Sequence, residues 1–146
     1  MKLHKKLSLI EYFSPKVWRS YDPQTLLQRI DKKVINFDIY LIERYGTMII
    51  NDWMYRQDEE HKHHKHRGFR AYYENVGATL SLHRQGQASD KAFKDVTAEE
   101  VRVDIKSNEK WIRQTFGVSA IENKVNWLHS DFRNSLEIDK IIWFNP

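Results

Sequence analysis

The chain has 146 residues, 40% of them hydrophobic and 30% charged, with five Gly and three Pro; this suits one ordinary folded domain and excludes disordered and collagen-like compositions. It contains no cysteine, so disulfide scaffolds, zinc ribbons, iron–sulfur centres and thiol nucleophiles are excluded, and any metal must be held by His and carboxylate. A net charge of +4 favours anionic partners such as nucleic acid, a membrane surface or bacterial cell wall, as a weak pointer.

The opening MKLHKKLSLIEYF has a basic front, but its apolar stretch is short and Glu11 interrupts it. With no small-residue cleavage site after it, it does not read as a signal peptide, and the expectation is synthesis in a cytoplasm. No apolar run approaches the roughly 20 residues that span a bilayer. The clearest predicted helix runs from about Pro23 to Tyr45, with Asp22 as N-cap, Pro23 at the first helical position and Gly46 as the left-handed stop. Leu27, Ile30, Val34, Phe37, Leu41 and Tyr45 recur there at three- and four-residue steps, which lays one apolar stripe on the core. Thr47 to Trp53 reads as a strand rich in β-formers.

A polar stretch, RQDEEHKHHKHRGFR, comes next, followed by two alternating segments predicted as strands, Ala78 to His83 and Gln87 to Phe93, with Gly86 turning between them. Thr97 and Glu100 form a capping box that opens a second helix toward Asn108, with a continuation to Thr115 left open, and Gly117 ends it. Strands are expected at Val118 to Ile121 and Val125 to Asp131, before a last apolar piece, IIWF. Helices and short strands mix without βαβ alternation, so the expected fold is α+β, a single domain over residues 1–146 with a mainly antiparallel sheet packed with helices. Trp53, Trp111, Trp127 and Trp143 are expected mostly in the core, with Trp127 a candidate cleft wall.

Of the seven histidines, His61, His63, His64 and His66 share one charged segment with Glu59, Glu60, Lys62 and Lys65. Such a run reads as a solvated loop that captures divalent metal without fixed geometry. His83, Asp90 and His129 differ. A tight reversal at Gly86 brings an imidazole and a carboxylate to one end of a sheet, and period two puts Trp127, His129 and Asp131 on one strand face. Two His and one carboxylate leave a fourth position open, the composition of a catalytic zinc site; satisfied polar residues are the other reading of the same spacing.

SLHRQGQASD, Ser81 to Asp90, resembles residue for residue the S-x-H-x-x-G-x-A-x-D signature of D-Ala-D-Ala carboxypeptidase-like zinc peptidases, which share a fold with the hedgehog signalling domain. WLHSDFR, Trp127 to Arg133, is similar to the family's W-h-H-x-D-x-R block (h apolar), and RGFR, Arg67 to Arg70, resembles its S-G-Y/F-R segment. The motif-bearing part spans about residues 47–133. The resemblance implies a hydrolase of peptide bonds in bacterial peptidoglycan, as a phage endolysin or a cell-wall remodelling enzyme reached after release. It implies Zn2+ on His83, Asp90 and His129, Arg70 stabilising the oxyanion and Ser81 helping to seat the substrate. Where many members carry a glutamate three residues before the last histidine, this chain has Asn126. Glu122, placed as in another subgroup, is the first candidate for the general base; Asp131 is the second, or instead a partner that orients a ligand. Asn126 also favours a rival reading, a catalytically silent zinc-binding homologue with a structural or wall-binding role. A nucleic-acid module, suggested only by charge and aromatics, is the third reading. The expected state is a monomer without a specific nucleic-acid partner.

Overall fold

In the computed structural model, which describes residues 1–55 and 64–146, the long helix expected from Pro23 to Tyr45 is broken in two. The chain opens with a two-stranded antiparallel pair, β1 (Lys2–His4) and β2 (Leu7–Ser8). Helix α1 (Pro15–Ser20) then starts on Ser14, whose Oγ accepts the Val17 N–H at 3.3 Å. Asp22 caps α2 (Pro23–Leu27) by accepting the N–H groups of Gln24 and Thr25. The chain then pauses, and Asp31 caps a new helix, α3 (Lys32–Tyr45), through the Lys33 N–H at 2.9 Å.

The break has a tertiary cause. Gly86, at φ +68°, lies so close to this corner that a Cβ would meet the Arg29 carbonyl oxygen at 1.8 Å, and its own carbonyl accepts the Asp31 N–H at 2.9 Å. Only glycine takes that backbone conformation cheaply and leaves that space. The apolar stripe survives the break, with Ile30, Val34, Phe37 and Leu41 buried.

The segments that follow correct two of the expected strands. Of Thr47 to Trp53 only Met48–Ile49 pairs, as β3. Ala78 to His83 is not a strand: it turns and then enters a 3-10 helix, Leu82–Gln85, whose first turn is capped by Ser81. The alternation there is too short and too close to Gly77 and Gly86 to pair. Strand β4 (Ala88–Phe93) follows as expected. Thr97 and Glu100 form the capping box of α4 (Ala98–Ser107), and a second helix, α5 (Glu109–Phe116), begins after a non-helical Asn108 and stops at Gly117. Strands β5 (Ala120–Glu122), β6 (Leu128–Asp131) and β7 (Ile142–Phe144) complete the described chain.

The main sheet has the order β3-β4-β6-β5-β7, antiparallel throughout except for the parallel pair β5–β7. The architecture is therefore a small single-domain α+β fold. One face of the sheet, with Leu128 and Ile121, joins the core formed with Phe37 and Leu41 of α3, Val101 and Ile105 of α4 and Ile112 of α5. Register decides the other face. Asp90 pairs with His129, Ala120 with Asp131, and Glu122 with Phe144, so period two sends Asp90, His129, Asp131, Glu122 and Phe144 away from the helices. The tryptophans correct the core expectation. Trp111 is 53% exposed, and Trp53, Trp127 and Trp143 are only half-buried, with Trp127 on the cleft wall. Among the described residues no helix is long and apolar enough to cross a membrane.

Candidate metal centre

His83, Asp90 and His129 each present a ligand atom, and these atoms lie within 4.8 Å of one another. His83 comes from the 3-10 turn, Asp90 from β4 and His129 from β6. His83 and Asp90 are buried, and the His129 side chain is 12% exposed. The His83 Nε2 stands 3.4 Å from Asp90 Oδ2, and His129 Nδ1 stands 2.6 Å from Asp90 Oδ1. Ligand atoms at tetrahedral angles and bonds near 2.1 Å are separated by roughly 3.4 Å, so closing the group on one ion asks for a small opening of the His129–Asp90 contact and loss of the proton it holds.

The remaining ring nitrogens are already committed. His83 Nδ1 donates to the Gly68 carbonyl at 2.7 Å, which leaves Nε2 facing Asp90. His129 Nε2 donates to Asp131 Oδ2 at 3.1 Å, which leaves Nδ1 facing the group. Asp131 is fixed in turn by Arg133, whose Nε reaches Oδ1 at 2.8 Å and whose Nη2 reaches Oδ2 at 2.5 Å. Metal-binding histidines need such outer partners to set tautomer and ring angle. The donor set and its support therefore fit a divalent ion.

Electrostatics follow the same geometry. Burial alone raises the Asp90 carboxyl, but hydrogen bonds from His129 and His83 outweigh it and hold the group well below the usual carboxylate range. Burial alone lowers the His129 imidazole, yet Asp131 and Asp90 outweigh it and raise it to about 9. Asp131 is lowered: burial opposes ionisation, and Arg133 and His129 overcome it. Two carboxylates thus hold a proton on one imidazole, and a metal ion bound there would have to displace it.

The group lies in a cleft of about 560 Å3, also lined by Arg70, Ser81, Leu80, Glu122, Trp127 and Phe144. Arg70 Nη2 reaches Asp90 Oδ2 at 3.3 Å and its Nε donates to the His66 carbonyl at 2.7 Å, which aims a guanidinium beside the ligands. The Ser81 Oγ accepts the His83 N–H at 3.3 Å, so this hydroxyl holds the ligand turn while facing the cleft. Glu122 is half-buried on the cleft face, and its carboxylate makes no hydrogen bond or ion pair among the described residues. Asp131 has both oxygens engaged and no exposed side-chain surface, which gives it the orienting part. Asn126 is exposed and is not part of the cleft lining.

Of the histidine-rich run, His61 and His63, with Glu59, Glu60 and Lys62, lie outside the described residues. His64 is exposed and ties its backbone to Asp52; the His66 Nδ1 stands 3.6 Å from Glu74 Oε1. Neither reaches the cleft. Sequence reading missed two contributors. Gly68 supplies the carbonyl that orients His83, and a Cβ there would meet the Tyr12 carbonyl oxygen at 2.3 Å. Arg133 clamps Asp131; its place in W-h-H-x-D-x-R was the available signal. No family model matches the chain, and no curated protein or solved structure matches it significantly.

Proposed function

We propose that this protein is a zinc-dependent peptidase of the hedgehog/D-Ala-D-Ala peptidase fold that hydrolyses peptide bonds in bacterial peptidoglycan stem peptides. It would serve as a phage endolysin-type or wall-remodelling enzyme that reaches the wall after release. The observation that carries the reading is the convergence of His83, Asp90 and His129 within 4.8 Å at one cleft, on residues whose motifs resemble that family's ligands. Zinc held there supplies Lewis acidity and a lowered pKa for water. The chain's own groups supply the rest. Glu122, on the cleft face and with no competing partner among the described residues, would take the proton. Arg70 offers a fixed cation to a developing oxyanion, where a preorganised donor is worth most. Ser81 and the apolar surfaces of Leu80, Trp127 and Phe144 suit a peptide backbone and its small side chains.

The test is metal content followed by peptidoglycan zymography. About one zinc per chain and chelator-sensitive clearing are expected, and His83→Ala removes both. Glu122→Gln should retain the metal and lose about 10²- to 10⁴-fold in turnover. Zinc without clearing by the wild type would support the silent homologue that Asn126 first suggested. No zinc at all would remove both readings.

A further inference from the structure

Behind the candidate ligands, on the helix-facing side of the sheet, lies a buried ion pair that the proposed chemistry does not use. Lys91 and Asp38 have no exposed side-chain surface, and Lys91 Nζ meets Asp38 Oδ1 at 2.7 Å. The same ammonium donates to Ser89 Oγ at 2.7 Å and to Ser130 Oγ at 2.6 Å, so all three of its hydrogens are spent. Asp38 Oδ2 accepts from Ser89 Oγ at 3.0 Å and from the Tyr12 hydroxyl at 2.9 Å.

The placement of these residues is what matters. Ser89 and Lys91 flank Asp90 in β4, and Ser130 stands between His129 and Asp131 in β6. The hub therefore bonds β4 to β6 across the rungs that flank the Asp90–His129 pair. Through Tyr12 it also reaches the third. The Tyr12 carbonyl accepts the Phe69 N–H at 2.7 Å, next to Gly68, whose carbonyl orients His83. Burying an ion pair is a poor way to gain stability, since well-packed apolar residues do as well or better. The position opposite Lys91 in the ladder is Leu128, which shows that this layer accepts an apolar side chain. What directional, saturated bonds add is register, and a one-residue slip would turn Asp90 or His129 to the wrong face.

We propose that Lys91 and Asp38 are positioning residues for the metal centre, holding β4, β6 and the Tyr12 corner so that His83, Asp90 and His129 meet. This rests on the metal reading above. The test replaces both charges together, Lys91→Met with Asp38→Asn, so that neither is left buried alone, and measures three things. These are cooperative melting, Zn2+ affinity by competition with a chromophoric chelator, and the d–d absorption spectrum of the Co2+-loaded protein. A folded double variant with Zn2+ affinity weakened about ten- to a hundredfold, as for loss of other outer-shell support, and an altered Co2+ spectrum supports the proposal. Ile112→Ala, a core change away from the hub, should lower the melting temperature and leave both metal readouts unchanged. A folded double variant with wild-type affinity and spectrum overturns the proposal. If the double variant does not fold, Ser130→Ala decides, since it removes only the bond to β6: several-fold weaker Zn2+ binding supports the proposal and unchanged binding overturns it. A wild type that binds no Zn2+ overturns the metal reading and this one with it, whereas tight wild-type binding beside an unaffected variant removes the positioning role alone.

Discussion

Asp90, His129 and Asp131 stand on paired strands, whereas Arg70, Ser81 and His83 stand on a stretch, residues 50–87, whose one helical piece among the described residues is a single 3-10 turn. The two sides of the cleft are held by different means. On the sheet side, ladder register fixes each Cβ, and side chains behind the strands reinforce it. On the loop side the backbone is tied by scattered bonds: Arg84 bridges the Ala71 and Glu74 carbonyls, each at 2.9 Å, and the Arg70 N–H donates to the His83 carbonyl at 3.1 Å. The two histidines repeat the contrast. His129 is oriented by a side-chain carboxylate, His83 by a main-chain carbonyl. Regular structure thus supplies rigidity on one side, and individually placed polar bonds supply reach on the other.

The sharpest way to break this comparison is to weaken the sheet side. Leu128 is fully buried beneath the ligand strand, one residue before His129. Leu128→Ala should cost about 2–5 kcal/mol of stability through lost transfer energy and the cavity left behind. Chemical denaturation with a matched m-value checks it; a loss below about 1 kcal/mol would mean that the sheet side is no more tightly packed than the loop.

Next in size is the outer support of His129. Asp131→Ala removes the carboxylate that accepts from Nε2, while Arg133, whose side chain is 37% exposed, can turn toward water. Zn2+ affinity should fall about ten- to a hundredfold. The loop side offers no equivalent substitution, because the partner of His83 is a carbonyl. Chelator competition on the purified variant gives the answer, and an unchanged affinity would show that ring orientation is set by strand packing alone.

This division also explains what could be read before any coordinates. The β6 alternation that puts His129 and Asp131 on one face and Leu128 and Ser130 on the other follows from period two alone, and the fold bears it out. The capping box at Thr97 and Glu100 and the stop at Gly117 are equally local, and both stand. The readings that failed depend on distant partners. The Pro23 to Tyr45 helix breaks because Gly86 docks on Arg29, some sixty residues away in sequence. Ala78 to His83 alternates like a strand but is closed in between Gly77 and Gly86, and it becomes a turn and a 3-10 helix. For His83, spacing alone left both a ligand and a satisfied polar residue open, the ten-residue resemblance pointed to the ligand, and the fold brings His83 to a group that could hold a metal ion. The Lys91–Asp38 pair carries no sequence signal of that kind, since its role exists only once Tyr12 and α3 are packed against the sheet, and the place of Gly68 in RGFR did not tell that its carbonyl orients His83.

The smallest expected effect lies at the loop rim. Leu80 is 87% exposed and lines the cleft, so its side chain gives up almost no contact with water on folding. Leu80→Ala should change stability by less than about 0.5 kcal/mol and leave Zn2+ affinity untouched, because Leu80 neither carries nor orients a ligand. A contact made only with substrate would appear elsewhere, as a few-fold rise in KM on a peptidoglycan fragment with kcat held. Paired with Leu128→Ala, the same chemical change at two leucines then separates the roles of the two sides. A melting temperature that fell as far for Leu80→Ala as for Leu128→Ala would show that the loop side is part of the cooperative core, and the distinction between a rigid sheet and a surface loop would fail.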